Sequence, residues 1–194
     1  MSSDPYYTER LEAEANRGWK RLLDVQGPYR RHIKRVVEGR VLDVGCGIGR
    51  NLQHLEGNGV GVDTNPHSIE VARRNGLTAH TADEFPGSAD AAAGSYGTLL
   101  ISHVLEHMTP GEASGLLGLY LPYLSPGGRV VIIVPQEAGF RSDPTHVHFL
   151  DLDELAGIEA AQRLSRERAY SFPFPRPVGR IFKYNETVVL SRRL

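Results

Sequence analysis

The chain has little of what would tie it to an oxidising compartment, a membrane or a polyanion. One cysteine, Cys46, stands among 194 residues, so no internal disulfide forms and a reducing compartment is implied. No apolar run approaches the roughly 20 residues of a membrane helix, and the opening Met-Ser-Ser-Asp-Pro-Tyr-Tyr lacks the basic and then apolar layout of a signal peptide. A cytoplasmic location is therefore expected, with no membrane partner. Excess charge is missing too: 22 Lys and Arg against 23 Asp and Glu leave −1, which gives no global field to recruit nucleic acid. No repeat or linker interrupts the sequence, and a hydrophobic content of 40% suits one globular domain over residues 1–194.

What is present is centred on Val41-Leu-Asp-Val-Gly-Cys-Gly-Ile-Gly-Arg-Asn51, an apolar strand signal running into a glycine-rich turn and then a helical pattern. Glycine lets a backbone take conformations a Cβ forbids and lets a ligand approach the main chain. A dinucleotide fingerprint needs its third glycine where Arg50 stands, which argues against a nicotinamide dehydrogenase. Asp43 in the strand instead suits a ligand with a positively charged amino acid end. Cys46 reads as a small side chain where the backbone lines that ligand, in preference to a nucleophile.

Residues 1–38 read as a helical flap, with one helix over 4–25 and a shorter one from Tyr29 to Val37; residues 39–194 read as the core. From Arg40 onward strands and helices alternate. Strands are expected at Arg40 to Val44, Val60 to Val62, Leu77 to Thr81, Thr98 to Ser102 and Arg129 to Val134, with later β-like runs at Ala169 to Phe174 and Thr187 to Arg192. A helix begins at Gly47, Asn65-Pro66 and Thr109-Pro-Gly-Glu112 open two more, and Asp151-Leu-Asp-Glu154 opens one that runs to about Leu164. Gly87 to Ser95 is expected to hold one poor helix and little else. This order predicts an α/β fold: a single doubly wound, mostly parallel, Rossmann-like sheet of seven strands whose final pair is antiparallel.

Such sheets bind ligands at the carboxyl ends of their strands. Those ends carry Asp43 with Gly45, Cys46, Gly47 and Gly49 after strand one, Asp63-Thr64 after strand two, Asp83-Glu84-Phe85 after strand three, and Ser102-His103 after strand four. Asp63 lies 20 positions beyond Asp43, the separation at which a carboxylate accepts both hydroxyls of an adenosine ribose. Asp83 is expected to accept an adenine amino group, with Glu84 and Phe85 packing beside the ring.

Val-Leu-Asp-Val-Gly-Cys-Gly-Ile-Gly49 resembles the first motif of the class I S-adenosylmethionine (SAM)-dependent methyltransferases. Ser-His-Val-Leu-Glu-His107 and Ser125-Pro-Gly-Gly128 are similar to further segments of that superfamily, so the likeness spans roughly Arg40 to Asp151. It implies SAM as cofactor and S-adenosylhomocysteine as product, Ser102 and His103 beside the methionine end, and an N-terminal helix partly covering the pocket with Arg17, Trp19 and Arg21 as candidate contacts. It also implies that the segment Tyr170 to Gly179 overlies the acceptor, where Arg176 and Arg180 suit an anionic or aromatic molecule. One departure is Gly97, where many relatives carry aspartate.

Methyl transfer from a sulfonium asks the protein chiefly to position the acceptor and exclude water. An alcohol or phenol acceptor benefits from a base near neutrality, which makes His103, His146 and His148 the catalytic candidates. His146 and His148 with Asp143 have metal-like spacing, but no further cluster completes a site and no metal is expected. With no room for a target-recognition insertion and no Asp/Asn-Pro-Pro-Tyr after strand four, the expected acceptor is a small metabolite methylated on oxygen or nitrogen. Methylation of tRNA or protein, and SAM binding without catalysis, are the alternatives. The arginines that crowd the sequence from Arg163 onward read either as a patch for an anionic substrate or as a solvated surface.

Overall fold

The computed structural model describes residues 26–194, so the helix expected over 4–25, with Arg17, Trp19 and Arg21, lies outside the described residues. The chain enters through α1 (Gly27–Val36), which carries its proline in the first turn where no amide partner is lost. The sheet follows: β1 (Val41–Val44), β2 (Gly59–Asp63), β3 (Ala79–Thr81), β4 (Tyr96–Ser102), β5 (Leu124–Pro135), β6 (Leu164–Phe172) and β7 (Glu186–Arg193). Their order is β3-β2-β1-β4-β5-β7-β6, parallel from β3 through β5 and antiparallel at β5–β7 and β7–β6. This is the seven-stranded sheet with an antiparallel final pair that the alternation predicts.

Helices α2 (Arg50–His54), α3 (Pro66–Arg74), α4 (Pro110–Tyr120), α5 (Glu137–Phe140) and α6 (Leu152–Ala161) complete the layers. The side chains of Asn65, Thr109 and Asp151 accept from the first free amides of α3, α4 and α6, the latter two as capping boxes with Glu112 and Glu154. Central strands have apolar side chains on both faces. Leu99 and Ile101 meet Leu117, Leu155 and Ile158 on one side, whereas Leu100 meets Ile33 and Val36 of α1 on the other.

Several boundaries differ from the sequence pattern. α2 starts at Arg50 instead of Gly47, because Gly45, Gly47 and Gly49 all have positive φ (75°, 52° and 81°) and prolong the turn. Gly87 to Ser95 contains no helix; a 3-10 turn at Phe85–Gly87 precedes irregular chain pinned where Tyr96 Oη donates to the Asp90 carbonyl at 2.8 Å. β5 extends back through Ser125 to Gly128, with a register shift against Tyr96 and Thr98. α6 stops at Ala161, and β6 begins at Leu164, five residues before the expected Ala169. Gly97 also acquires a reason: a Cβ there would lie 2.5 Å from the Glu38 carbonyl oxygen and 3.1 Å from Gly39 Cα, so aspartate has no room.

Strand order reverses between β1 and β4, the position at which open α/β sheets form a ligand crevice. Val44 pairs with Ile101 and with Val62, so Gly45, Ser102 and Asp63 leave the sheet side by side.

Candidate functional site

The glycine loop is wound onto the end of β2. Gly45 and Cys46 donate their amides to the Val62 carbonyl at 2.7 and 3.1 Å. Gly47 N–H donates to Asp63 Oδ2 and Asn65 N–H to Oδ1, both at 2.8 Å, so the Asp63 carboxylate locks the loop while retaining acceptor capacity. A Cβ at Gly45 would lie 2.2 Å from Val104 Cγ2, and one at Gly49 would lie 2.3 Å from Leu77 Cδ1. Close packing as well as positive φ therefore demands glycine at both.

Asp43 is 1% exposed, and both its oxygens are buried without a hydrogen-bond partner. Burial pushes its pKa up to about 7; the Asn51 side chain offsets part of that, and the Asp63 charge adds to it. A buried carboxylate with unused acceptors beside this loop suits a cationic group. The Cys46 thiol is buried and its pKa is pushed up, by burial first and then by Asp43 and Asp63, which makes it inert as a nucleophile.

Beyond β3 the expected residues diverge. Asp83 and Thr64 are exposed at the ligand edge. Glu84 accepts from the Thr81 amide at 2.9 Å and pairs with Arg73 at 2.7 Å, an interaction that closes the end of the strand. Phe85 is 1% exposed and packs edge-on against Tyr123 with ring centroids 4.9 Å apart; its ring belongs to the core.

On the other side of the crevice, Ser102 is buried and lies 3.3 Å from Tyr29 Oη of α1. His103 has φ 57°, a left-handed conformation costly for a residue with a Cβ and concentrated at functional sites. Its ring is 44% exposed, but Nδ1 faces Glu106 Oε1 at 3.2 Å and Nε2 faces Glu186 Oε1 at 2.8 Å. Burial alone would lower its pKa; the two carboxylates outweigh that and raise it to about 10. His103 is thus an imidazolium held between two glutamates, not a free base at neutral pH.

His146 and His148 do not converge. The Val147 and His148 amides both donate to the Glu106 carbonyl, which docks this loop on the segment after β4. His146 Nδ1 meets the Phe140 carbonyl at 2.8 Å, and its ring lies 4.9 Å from that of His107. His148 turns away to Glu154 at the start of α6. Asp143 accepts from the Thr145 amide and hydroxyl, so the spacing Asp143, His146 and His148 does not form a ligand set.

The pattern reading missed Glu106, Gln136, Asn185 and Glu186. Gln136 and Asn185 are fully buried: Asn185 Nδ2 donates to Gln136 Oε1 at 2.9 Å, and Gln136 Nε2 donates to Ser171 Oγ, the Glu186 carbonyl and Thr187 Oγ1. This clamp fixes the end of β5 against the start of β7 and so sets Glu186 opposite His103. A cleft of about 240 Å³ opens next to it, lined in part by Phe149, Asp153, Arg176 and Thr187. Its lining includes neither His103 nor any residue of the glycine loop.

Most arginines of the C-terminal third are committed. Arg176 forms a two-pronged pair with Glu137 at 2.6 and 2.7 Å, Arg166 pairs with Glu159, and Arg192 pairs with Glu38 and Glu167. Arg180 is exposed. No helix among the described residues is long and apolar enough to cross a membrane.

A family model described as a methyltransferase domain matches residues 7–186. No curated protein matches the chain. Solved structures do. A SAM-dependent methyltransferase from Archaeoglobus fulgidus is 21% identical, with a TM-score of 0.68 over 98% of this chain and 100% of that one. One from Mesorhizobium loti is 17% identical, with a TM-score of 0.63 over 87% and 97%. Geranyl diphosphate C-methyltransferase from Streptomyces coelicolor, in complex with Mg2+, geranyl diphosphate and S-adenosyl-L-homocysteine, is 11% identical, with a TM-score of 0.65 over 88% and 78%.

Proposed function

Since this chain belongs to the methyltransferase-domain family and is a SAM-dependent methyltransferase, we propose that its acceptor is a small metabolite methylated on oxygen or nitrogen. SAM, when bound, supplies a methyl group already activated on a sulfonium. The protein's own work is to bind, align and keep water out.

Asp43, the loop amides around Gly45, Gly47 and Gly49, and Asp63 with Thr64 form the proposed cofactor seat, with Asp83 beyond them at the adenine end. The buried, unpartnered Asp43 carboxylate is the observation that carries this assignment. Cys46 lines the seat without chemistry. Glu84 and Phe85 support its floor through Arg73 and Tyr123. For the flap proposed over residues 1–38, beside a core of 39–194, support comes from the described part, where Tyr29 meets Ser102.

His103, with Ser102 beside it, is the residue we assign to the acceptor side. Together with Glu106 and Glu186 it forms a group of net charge −1, which favours a cationic sulfonium nearby. Both ring nitrogens are taken up by the glutamates, so His103 offers the acceptor side a fixed ring face and its charge and no base. His146 and His148 shape the loop around it. Among the described residues the connections after β4, β5 and β6 carry no insertion the size of a separate recognition domain, which supports a small acceptor over a macromolecule. Pairing of Arg176 with Glu137 favours a neutral or aromatic acceptor over a strongly anionic one. A single buried thiol supports action in the reducing cytoplasm.

The test is S-adenosylhomocysteine release across a panel of phenols, alcohols and small amines, with tRNA and protein fractions alongside. Turnover of a small acceptor is expected. Product formed only with RNA or protein would overturn the acceptor class, and SAM binding without product in any arm would favour a non-catalytic module.

A further inference from the structure

Two histidines and a glutamate with no part in the cofactor seat converge after β4. Glu106 and His107 are contiguous on the 3-10 turn Leu105–His107, and the loop docked on the Glu106 carbonyl brings His146 against them. One donor atom from each of the three lies within 4.8 Å of the others. We propose that Glu106, His107 and His146 bind a divalent transition-metal cation, a site the sequence spacing did not reveal.

The protonation pattern is already that of metal ligands. His107 Nδ1 lies 3.1 Å from the Thr145 carbonyl, and His146 Nδ1 lies 2.8 Å from the Phe140 carbonyl. A carbonyl only accepts, so each Nδ1 carries the proton and each Nε2 presents a lone pair. Metal-bound histidines are oriented by this same outer bond.

Independent support comes from Glu106. The residue is 1% exposed; its Oε1 faces His103, whereas its Oε2 is buried with no hydrogen-bond partner. An acceptor left bare inside a protein is costly unless something fills it. His146 Nε2 stands 4.0 Å from Glu106 Oε1, too far for a hydrogen bond. Donors bonded to one ion at ~2.1 Å lie ~3.4 Å apart in a tetrahedron, so groups within 4.8 Å of one another need close by at most about 1.4 Å, which side-chain torsions supply.

Two imidazoles and one carboxylate select borderline ions such as Zn2+, Co2+ or Fe2+ over Mg2+, which prefers an all-oxygen shell. Three protein ligands also leave coordination positions open, as in sites that take a further ligand and unlike closed structural ones.

The experiment uses tag-free, chelator-stripped full-length protein titrated with Co2+, Zn2+ and Mg2+, read by calorimetry and, for Co2+, by visible d–d absorption. One equivalent of Co2+ or Zn2+ should bind at least tenfold more tightly than Mg2+. His107→Ala, whose ring is only half-buried, and His146→Ala should each weaken that binding by at least thirtyfold while retaining wild-type circular dichroism. Glu106→Gln is informative where it folds. Absence of a Co2+ spectrum in wild type, or Co2+ binding unchanged in both histidine variants, would overturn the proposal.

Discussion

The glycine-loop side of the carboxyl edge and its His103 side are assembled in different ways. On the first, Gly47 and Asn65 lie 16 and 2 positions from Asp63 and donate their main-chain amides to its carboxylate, while Gly45 donates to the neighbouring Val62 carbonyl. On the second, His103 meets Glu186 across 83 positions, Asn185 meets Gln136 across 49, and His107 meets Thr145 across 38. The local side holds its shape through backbone geometry that only glycine permits. The distant side depends on side-chain networks that exist only once β5, β7 and the loop carrying His146 have docked. A seat for an invariant cofactor suits the first construction, and a wall assembled from several distant segments suits the second.

The largest effect is expected at Asp63. Asp63→Ala removes a carboxylate that anchors two loop amides as well as the proposed ribose contact, and charged hydrogen bonds contribute roughly 1.5–3 kcal/mol each. SAM affinity measured by calorimetry should fall about 100-fold, near 2.7 kcal/mol; a loss below about fivefold would mean the loop holds itself.

Next comes the distant side. Asn185→Ala leaves Gln136 Oε1 and the Phe174 amide without their partner, and an orphaned buried polar group costs roughly 1–3 kcal/mol. Urea unfolding should show a loss of about 2 kcal/mol, with acceptor KM rising more than SAM affinity falls. Equal loss of both would show that the two sides are one cooperative unit.

Asp43 sharpens the contrast through pH. Its native pKa of about 7 lies above its ordinary value of 3.8, so between these the folded state keeps a proton the unfolded state has released. Stability from this group is therefore lost as pH rises from about 4 to about 7. A bound ammonium favours the ionised carboxylate, so SAM affinity should rise roughly tenfold between pH 6 and pH 8, following the ionised fraction. Asp43→Asn should flatten that rise; an unchanged profile would remove Asp43 from the seat.

The smallest effect belongs to Arg176. Its pair with Glu137 is surface-exposed, and such pairs contribute about 0.5 kcal/mol. Arg176→Ala should change acceptor turnover less than about twofold, and a drop beyond tenfold would restore the anionic-acceptor reading.

Much of the fold was legible in order. Asn65-Pro66, Thr109 with Glu112, and Asp151 with Glu154 act through hydrogen bonds spanning two or three residues, and all three cap as their spacing requires. Strand ends were harder, since β6 draws its start at Leu164 from pairing with Arg193 of β7. Among the candidate site residues, Asp43 and Asp63 lie at the carboxyl-terminal ends of β1 and β2, with the glycines directly after β1. His103 lies at the edge as expected, but its carboxylate partners were invisible: Glu186 reads in the sequence as an ordinary residue at the start of a strand.

Near-neighbour chemistry thus came from the sequence alone: the doubly wound order, the caps, the glycine turn and the carboxylates at strand ends all depend on interactions over a few residues or one βα step. Which glutamate faces His103, whether Arg176 is free, and that Glu106, His107 and His146 share one spot depend on contacts 39 to 83 positions apart in the first two cases and on a docked loop in the third. Such contacts leave no periodicity in the chain, because their geometry arises only when separate elements pack and each side chain is left one orientation.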